Sequence, residues 1–163
     1  MSFESKHFDE SFIASLHEQL NRLDAVEYKL NRKTSVTTDT CWFIGPETDM
    51  GDAELRLDLR GEEIVVVRVC FVHQRAGVLT QIMSSVELAA PDMGVKMIRI
   101  ESASTPEMVA WCNKHGFLVV QHTAIPVDNY IVGDYMYLVG KRIYDPRPDK
   151  RYPSRQVTKL TLD

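Results

Sequence analysis

Apolar residues at positions 8, 12, 13, 16, 20 and 23 recur at helical spacing behind Asp9 and Ser11. This predicts a helix over residues 10–23 with one apolar stripe, and Asp9 or Ser11 as its cap. Asp24 is the expected stop. Residues 26–30 and 41–44 have the composition of short strands on either side of a polar Thr/Ser/Asp stretch, and Gly45-Pro46-Glu47-Thr48-Asp49 reads as a turn. Leu55, Leu57 and Leu59 then alternate with charges, whereas Glu63-Ile64-Val65-Val66-Val67-Arg68-Val69-Cys70-Phe71-Val72 is almost continuously apolar. Joined by Arg60-Gly61-Glu62, the two runs are predicted to form a hairpin. Its first arm should have one wet face, and its second should be a central strand buried on both faces.

Val78, Leu79, Ile82, Met83, Val86 and Ala90 mark a second helix that stops near Pro91-Asp92-Met93-Gly94, followed by a strand over residues 95–100. Ser104-Thr105-Pro106-Glu107 supplies a Ser or Thr cap, a proline for the first turn and a Glu three residues after Ser104, so a third helix starts there, and Gly116 closes it. Strands over residues 117–121 and 134–140 complete the pattern, with a mobile loop holding Pro126, Asp128 and Gly133 between them. Beyond Gly140, Lys141, Arg142, Arg147, Lys150, Arg151, Arg155 and Lys159 outnumber Asp145, Asp149 and Asp163, while Pro146, Pro148 and Pro153 prevent a long helix. The organisation read from this is one domain over residues 1–140 and a basic, proline-containing tail over 141–163.

Composition narrows the class. A chain of 163 residues, 44% of them hydrophobic, can bury one real core and is short for two. Its net charge of -4 gives no global attraction to nucleic acid or anionic lipid, so only the tail leaves a nucleic-acid or acidic-protein partner open. No apolar run approaches the ~18 residues of a membrane span, and the start lacks a basic region followed by an apolar one, so a cytoplasmic protein without membrane contact is expected. Cys41, Cys70 and Cys112 are odd in number and widely spaced, which suits reduced thiols. Five scattered histidines, with no Cys-x-x-Cys and no His-Glu-x-x-His, give no metal spacing, and no metal is expected.

The candidate chemistry lies where the apolar strand runs into Gln74-Arg75-Ala76-Gly77-Val78-Leu79-Thr80 and then a helix. A helix start leaves about four backbone N–H groups unpaired and carries partial positive charge, so anionic phosphate is its natural guest. Gly77 permits close approach, Ala76 is nearly as small, and Thr80 can add a hydroxyl donor. On glycine alone, a plain strand-to-helix turn is the favoured reading of the pattern.

Gln74-x-x-Gly77-x-Leu79, preceded by a buried strand and followed later by Trp111-Cys112-Asn113-Lys114-His115-Gly116-Phe117, resembles the acetyl-CoA-binding core of the GNAT N-acetyltransferase superfamily. That family's motif is Gln/Arg-x-x-Gly-x-Gly/Ala with a later Lys-x-Gly-Phe; Lys114 to Phe117 match it, and Leu79 departs from it. The resemblance covers about residues 55–140. It implies an α/β (α+β) fold, a mixed and mostly antiparallel twisted sheet flanked by helices, with a splayed central strand pair. It implies further that main-chain groups of Val69, Cys70 and Phe71 bind the pantetheine arm and polarise the thioester oxygen. The loop Arg75 to Thr80, including Ala76, Gly77, Val78 and Leu79, would hold the pyrophosphate with Gln74 at its edge, and Thr105 would stand near the cofactor. An alkyl amine with a pKa near ~10.4 needs a base before it attacks. Glu63 is the candidate, because it matches the place of the family's general-base glutamate, and strand parity puts it on the face shared by Val65, Val67, Val69 and Phe71. Glu62 and Glu101 are alternatives. Cys112 occupies the place of the family's acid tyrosine and could protonate the leaving thiolate, or be a core thiol. Tyr130, Tyr135 and Tyr137 lie downstream.

The resulting expectation is a transferase that moves an acetyl group from acetyl-CoA, as co-substrate, to a primary amine on a small molecule or protein, with a homodimer left open. Two other classes compete. A GNAT-fold binding or interaction protein without turnover is permitted by Leu79 and Cys112, and a nucleic-acid binder using the tail would show salt-dependent binding and no response to CoA.

Overall fold

Asp9 starts the first helix, α1 (Glu10–Leu23), its side chain accepting from the Ser11 N–H at 3.1 Å, and the Asp24 N–H closes it on Leu20 O at 3.0 Å. The computed structural model describes residues 6–74 and 76–139. Arg75 and the tail over 141–163 therefore lie outside the described residues. The fold class is α/β, with three α-helices and eight strands among the described residues. The backbone divides into two compact units between Lys96 and Met97.

In the first unit α1 is followed by β1 (Lys29–Thr34), β2 (Thr38–Thr48), β3 (Gly51–Arg60) and β4 (Glu63–Cys70), an antiparallel meander in which each strand pairs with the next. Helix α2 (Val78–Ala89) and a 3-10 turn (Pro91–Met93) follow. The registers Cys41↔Leu57, Phe43↔Leu55 and Leu59↔Ile64 put these residues on one face, and all six are buried. Ile13, Leu16 and Leu20 of α1 and Ile82, Met83 and Val86 of α2 are buried with them. The His17 ring lies 5.4 Å from that of Phe43, and Ser85 Oγ donates to Gln19 Oε1 at 2.7 Å, linking the helices. Burial of this apolar area is the main stabilising term, at about 25 cal/mol per Å².

The second unit holds β5 (Met97–Ala103), α3 (Pro106–Lys114), β6 (Leu118–Val119), a 3-10 turn (Gln121–Thr123), β7 (Ile125–Val127) and β8 (Tyr130–Leu138). Strand β8 pairs antiparallel with β5, β6 and β7. Thr105 caps α3, its Oγ1 accepting from the Met108 N–H at 3.2 Å, with Pro106 in the first turn.

Several expectations shift. Most of the polar stretch expected between two short strands is strand itself: residues 31–34 lie in β1 and 38–40 in β2 on either side of a turn at 35–37, and Asp39 is satisfied by the Phe8 N–H and the Arg32 side chain. Gly45-Pro46 is an irregularity inside β2 rather than a turn, and the chain reverses instead at Asp49-Met50. The region of Pro126 and Asp128, expected as a mobile loop, is the hairpin β7–β8, which turns with Asp128 at φ 53°. In β4 the buried stretch is Ile64 to Val66, and Arg68 is exposed.

Candidate functional site

Strand β4 carries the extra residue of a β-bulge. Val66 pairs with Leu57 and Arg68 with Arg56, leaving Val67 unpaired between them. A bulge inserts one residue and breaks the period-two alternation. Glu63 therefore shares its face with Val65, Arg68 and Cys70, whereas Val69 lies with Ile64, Val66 and Leu55. This corrects the parity that grouped Glu63 with Val67, Val69 and Phe71. Glu63 is also at the hairpin end of the strand, opposite Arg60. At ~3.3 Å per residue it stands roughly 20 Å from the Val69–Phe71 segment. Of the two alternatives, Glu62 pairs with Lys96 at 3.3 Å on the surface, and Glu101 is half-buried on β5 in the second unit.

At the other end of β4 the residues read from the sequence come together. Val69 and Cys70 are half-buried, and Phe71 is buried just beyond the last ladder pair, Glu54↔Cys70. Gln74, Ala76 and Gly77 are exposed, and Gly77 caps α2 in the left-handed region at φ 77°, where glycine is favoured. A Cβ placed on Gly77 would meet no heavy atom within 4 Å, the turn's immediate chain neighbours aside. The half-buried Leu79 side chain thus leaves that space open, while Val78 is buried and anchors the helix start. The first turn of α2 holds no acidic residue, and the first intrahelical bond, Gln81 N–H to Gly77 O at 3.2 Å, leaves the Val78 and Leu79 amides for another acceptor. The diphosphate of a coenzyme A fits such a turn: among the described residues the space beside Gly77 is open, and the dipole sign is right.

One residue at this site was read from the sequence only as a helix stop. Asp24, fully buried, accepts from the Val72 N–H at 2.8 Å and the His73 N–H at 2.7 Å, and also from Tyr28 Oη. The His73 ring Nδ1 lies 3.2 Å from its carboxylate and 2.8 Å from its carbonyl oxygen. Burial pushes this carboxyl up, but hydrogen bonds from Tyr28, His73 and Val72 outweigh it, and the net direction is below the usual range. Burial and the neighbouring carboxylate hold the Tyr28 phenol above its ordinary range. No local sequence signal distinguishes this aspartate from a surface helix cap, because its main-chain donors lie 48 and 49 residues away.

In the second unit Thr105 is exposed and its hydroxyl is engaged in capping α3. Cys112 is fully buried, and burial drives its thiol well above the ordinary range. The Trp111 ring packs 4.4 Å from His115 and 5.5 Å from Phe117, whose ring is 5.4 Å from Tyr137. Tyr135 Oη donates to Ile131 O at 2.7 Å, and burial pushes its phenol up to about 12. Among the described residues no group of three or more His, Cys, Asp or Glu could hold a metal ion, and no helix is long and apolar enough to cross a membrane.

No family model and no curated protein matches the sequence. Among solved structures, the chain is similar to a probable acetyltransferase of the GNAT family from Chromobacterium violaceum, at 15% identity and TM-score 0.42, covering 63% of this chain and 60% of that one. An acetyltransferase from Bacillus cereus matches at 12% identity and TM-score 0.43, over 62% of this chain and 74% of that one. Nourseothricin acetyltransferase matches at 13% identity and TM-score 0.43, over 75% and 92%.

Proposed function

We propose that this chain is an acyl-CoA-dependent N-acyltransferase acting in the cytoplasm, with acetyl as the acyl group and a primary amine as the acceptor. The observation that carries the reading is the open left-handed turn at Gly77, set between the end of β4 and a helix without an acid in its first turn. Together with the Gln74-x-x-Gly77 spacing and Lys114-His115-Gly116-Phe117, it makes a coenzyme A diphosphate the best-fitting guest. Bound there, acetyl-CoA supplies an activated thioester carbonyl. The chain supplies position: amides of the segment Ala76 to Leu79 hold the diphosphate, with Gln74 at its edge. Main-chain groups of Val69 to Phe71, at the end of the β4 ladder, hold the extended arm as an added strand and direct an N–H at the thioester oxygen.

The side-chain chemistry is thinner than the sequence suggested. Direct proton transfer requires ~3 Å contact, and Glu63 lies far from the reacting segment while Cys112 has no exposed surface. Positioning and main-chain electrostatics therefore carry the acceleration, and the amine's proton leaves to solvent. The same two placements favour a second reading, a binding protein that holds acetyl-CoA without turnover.

Thermal unfolding with acetyl-CoA, followed by a free-CoA assay against a panel of amines, separates the two. At one hundred times Kd a bound ligand adds about 2.7 kcal/mol, roughly 5–10 °C in Tm for a chain of this size. Stabilisation with acceptor-dependent CoA release supports the enzyme, and stabilisation alone selects the binding protein. No stabilisation by acetyl-CoA at saturating concentration ends both.

A further inference from the structure

We infer that Asp24 is a positioning residue for the coenzyme loop, fixing the main chain at Val72 and His73, where it leaves β4, so that the amides of the helix start face the ligand; this rests on the acyl-CoA reading of that loop. Three locally unfavourable choices coincide at Asp24. A carboxylate sits at the negative end of the α1 dipole, it is fully buried, and the next residue, Ala25, is left-handed at φ 53° without being glycine. Such coincidences persist only where the surroundings over-determine them, and they concentrate at functional sites.

Here the surroundings are the loop. Two consecutive amides, Val72 and His73, turn inward onto the two carboxylate oxygens at 2.8 and 2.7 Å, and the His73 ring closes on the Asp24 main chain at 2.8 Å. Tyr28 Oη donates from the start of the next segment. The chain leaving the last ladder pair at Cys70 is therefore clamped to the end of a fourteen-residue helix before it reaches Gly77. A clamp of this kind orders the loop before the ligand arrives, so binding does not have to supply the ordering.

The test is acetyl-CoA titration of wild type and Asp24→Asn, with steady-state kinetics where turnover is present. The substitution keeps the shape but presents an NH2 to a donor. Removing a negative charge near an anionic ligand would by electrostatics alone tighten binding, so weaker binding reports geometry. The expected result is a Kd, and a KM for acetyl-CoA, raised about tenfold or more, with the acceptor KM and kcat within about twofold. A purely structural role lowers Tm and leaves the Kd of the folded variant unchanged, which overturns the inference while the coenzyme reading stands. Failure of wild type itself to bind acetyl-CoA overturns the coenzyme reading and this inference with it. Where the variant does not fold, amide hydrogen exchange on wild type decides. Val72 and His73 should be protected equally with and without acetyl-CoA, and rapid exchange of either in the free protein overturns the clamp.

Discussion

Glu63 and Asp24 show what a residue's neighbours along the chain reveal and what they conceal. Glu63 stands out because its distance from Gln74 matches a family pattern, but the structure puts it beside Arg60 at a hairpin end. Its substitution therefore provides a clear outcome: Glu63→Gln should leave kcat within about twofold in an assay of CoA release, because proton abstraction falls off beyond direct or single-water contact. A fall of about a hundredfold or more would instead establish it as the base, within the usual range for general base catalysis. Asp24 looks ordinary in sequence, yet its carboxylate gathers the amides of two residues from beyond β4. Cys112 lies between these cases, since both its readings were open and its complete burial places it in the core of its unit.

At the scale of elements, two strand irregularities decide which side chains share a face. The Val67 bulge reverses the parity of β4 beyond it, and the break in β2 between Ile44 and Glu47 lets Gly45 accept an aromatic ring. A Cβ on Gly45 would sit 2.8 Å from Tyr28 Cε1. That ring cannot retreat cheaply, because Tyr28 is buried and its hydroxyl is tied to Asp24. Gly45→Ala should therefore cost about 1–3 kcal/mol, as overpacking does, read as a lower urea midpoint at unchanged m. A midpoint equal to wild type would mean that β2 yields there without strain. The alternation of Leu55, Leu57 and Leu59 announced β3 correctly, and the Thr105-Pro106 signal announced α3, because caps and period-two patterns are local. A bulge is settled by the partner strand, so the apolar run of β4 could not disclose it.

At the scale of the whole molecule, three buried carboxylates couple stability to acid. Asp39 accepts from the Phe8 N–H at 2.7 Å and from Arg32 at 2.9 Å, and Asp58 accepts from Arg60 at 2.8 Å and Thr40 at 2.9 Å. Burial pushes both carboxyls up, as it does Asp24, and the donors around each outweigh it, so all three fall below the ordinary range. Unfolded, these groups take up protons near pH ~4, before the folded forms do, so their stabilisation is complete above that range and drains away as pH falls through the folded values. The urea midpoint should accordingly be lower at pH 3 than at pH 5, with a shallower fall in Asp39→Asn. Equal midpoints at the two pH values would show that these carboxylates do not titrate with folding.

The amino-acid sequence by itself determined the class of the fold, the three helices, the hairpin into β4 and the glycine turn before α2, since each rests on periodicity, caps and turn residues within a few positions. Tertiary structure alone decided which face of β4 each side chain occupies, that Glu63 stands apart from the loop, and that Asp24, Asp39 and Asp58 are buried among donors. The physical reason is range. Backbone preference is read over a turn or two, whereas desolvation and hydrogen-bond satisfaction are set by groups brought together from distant parts of the chain.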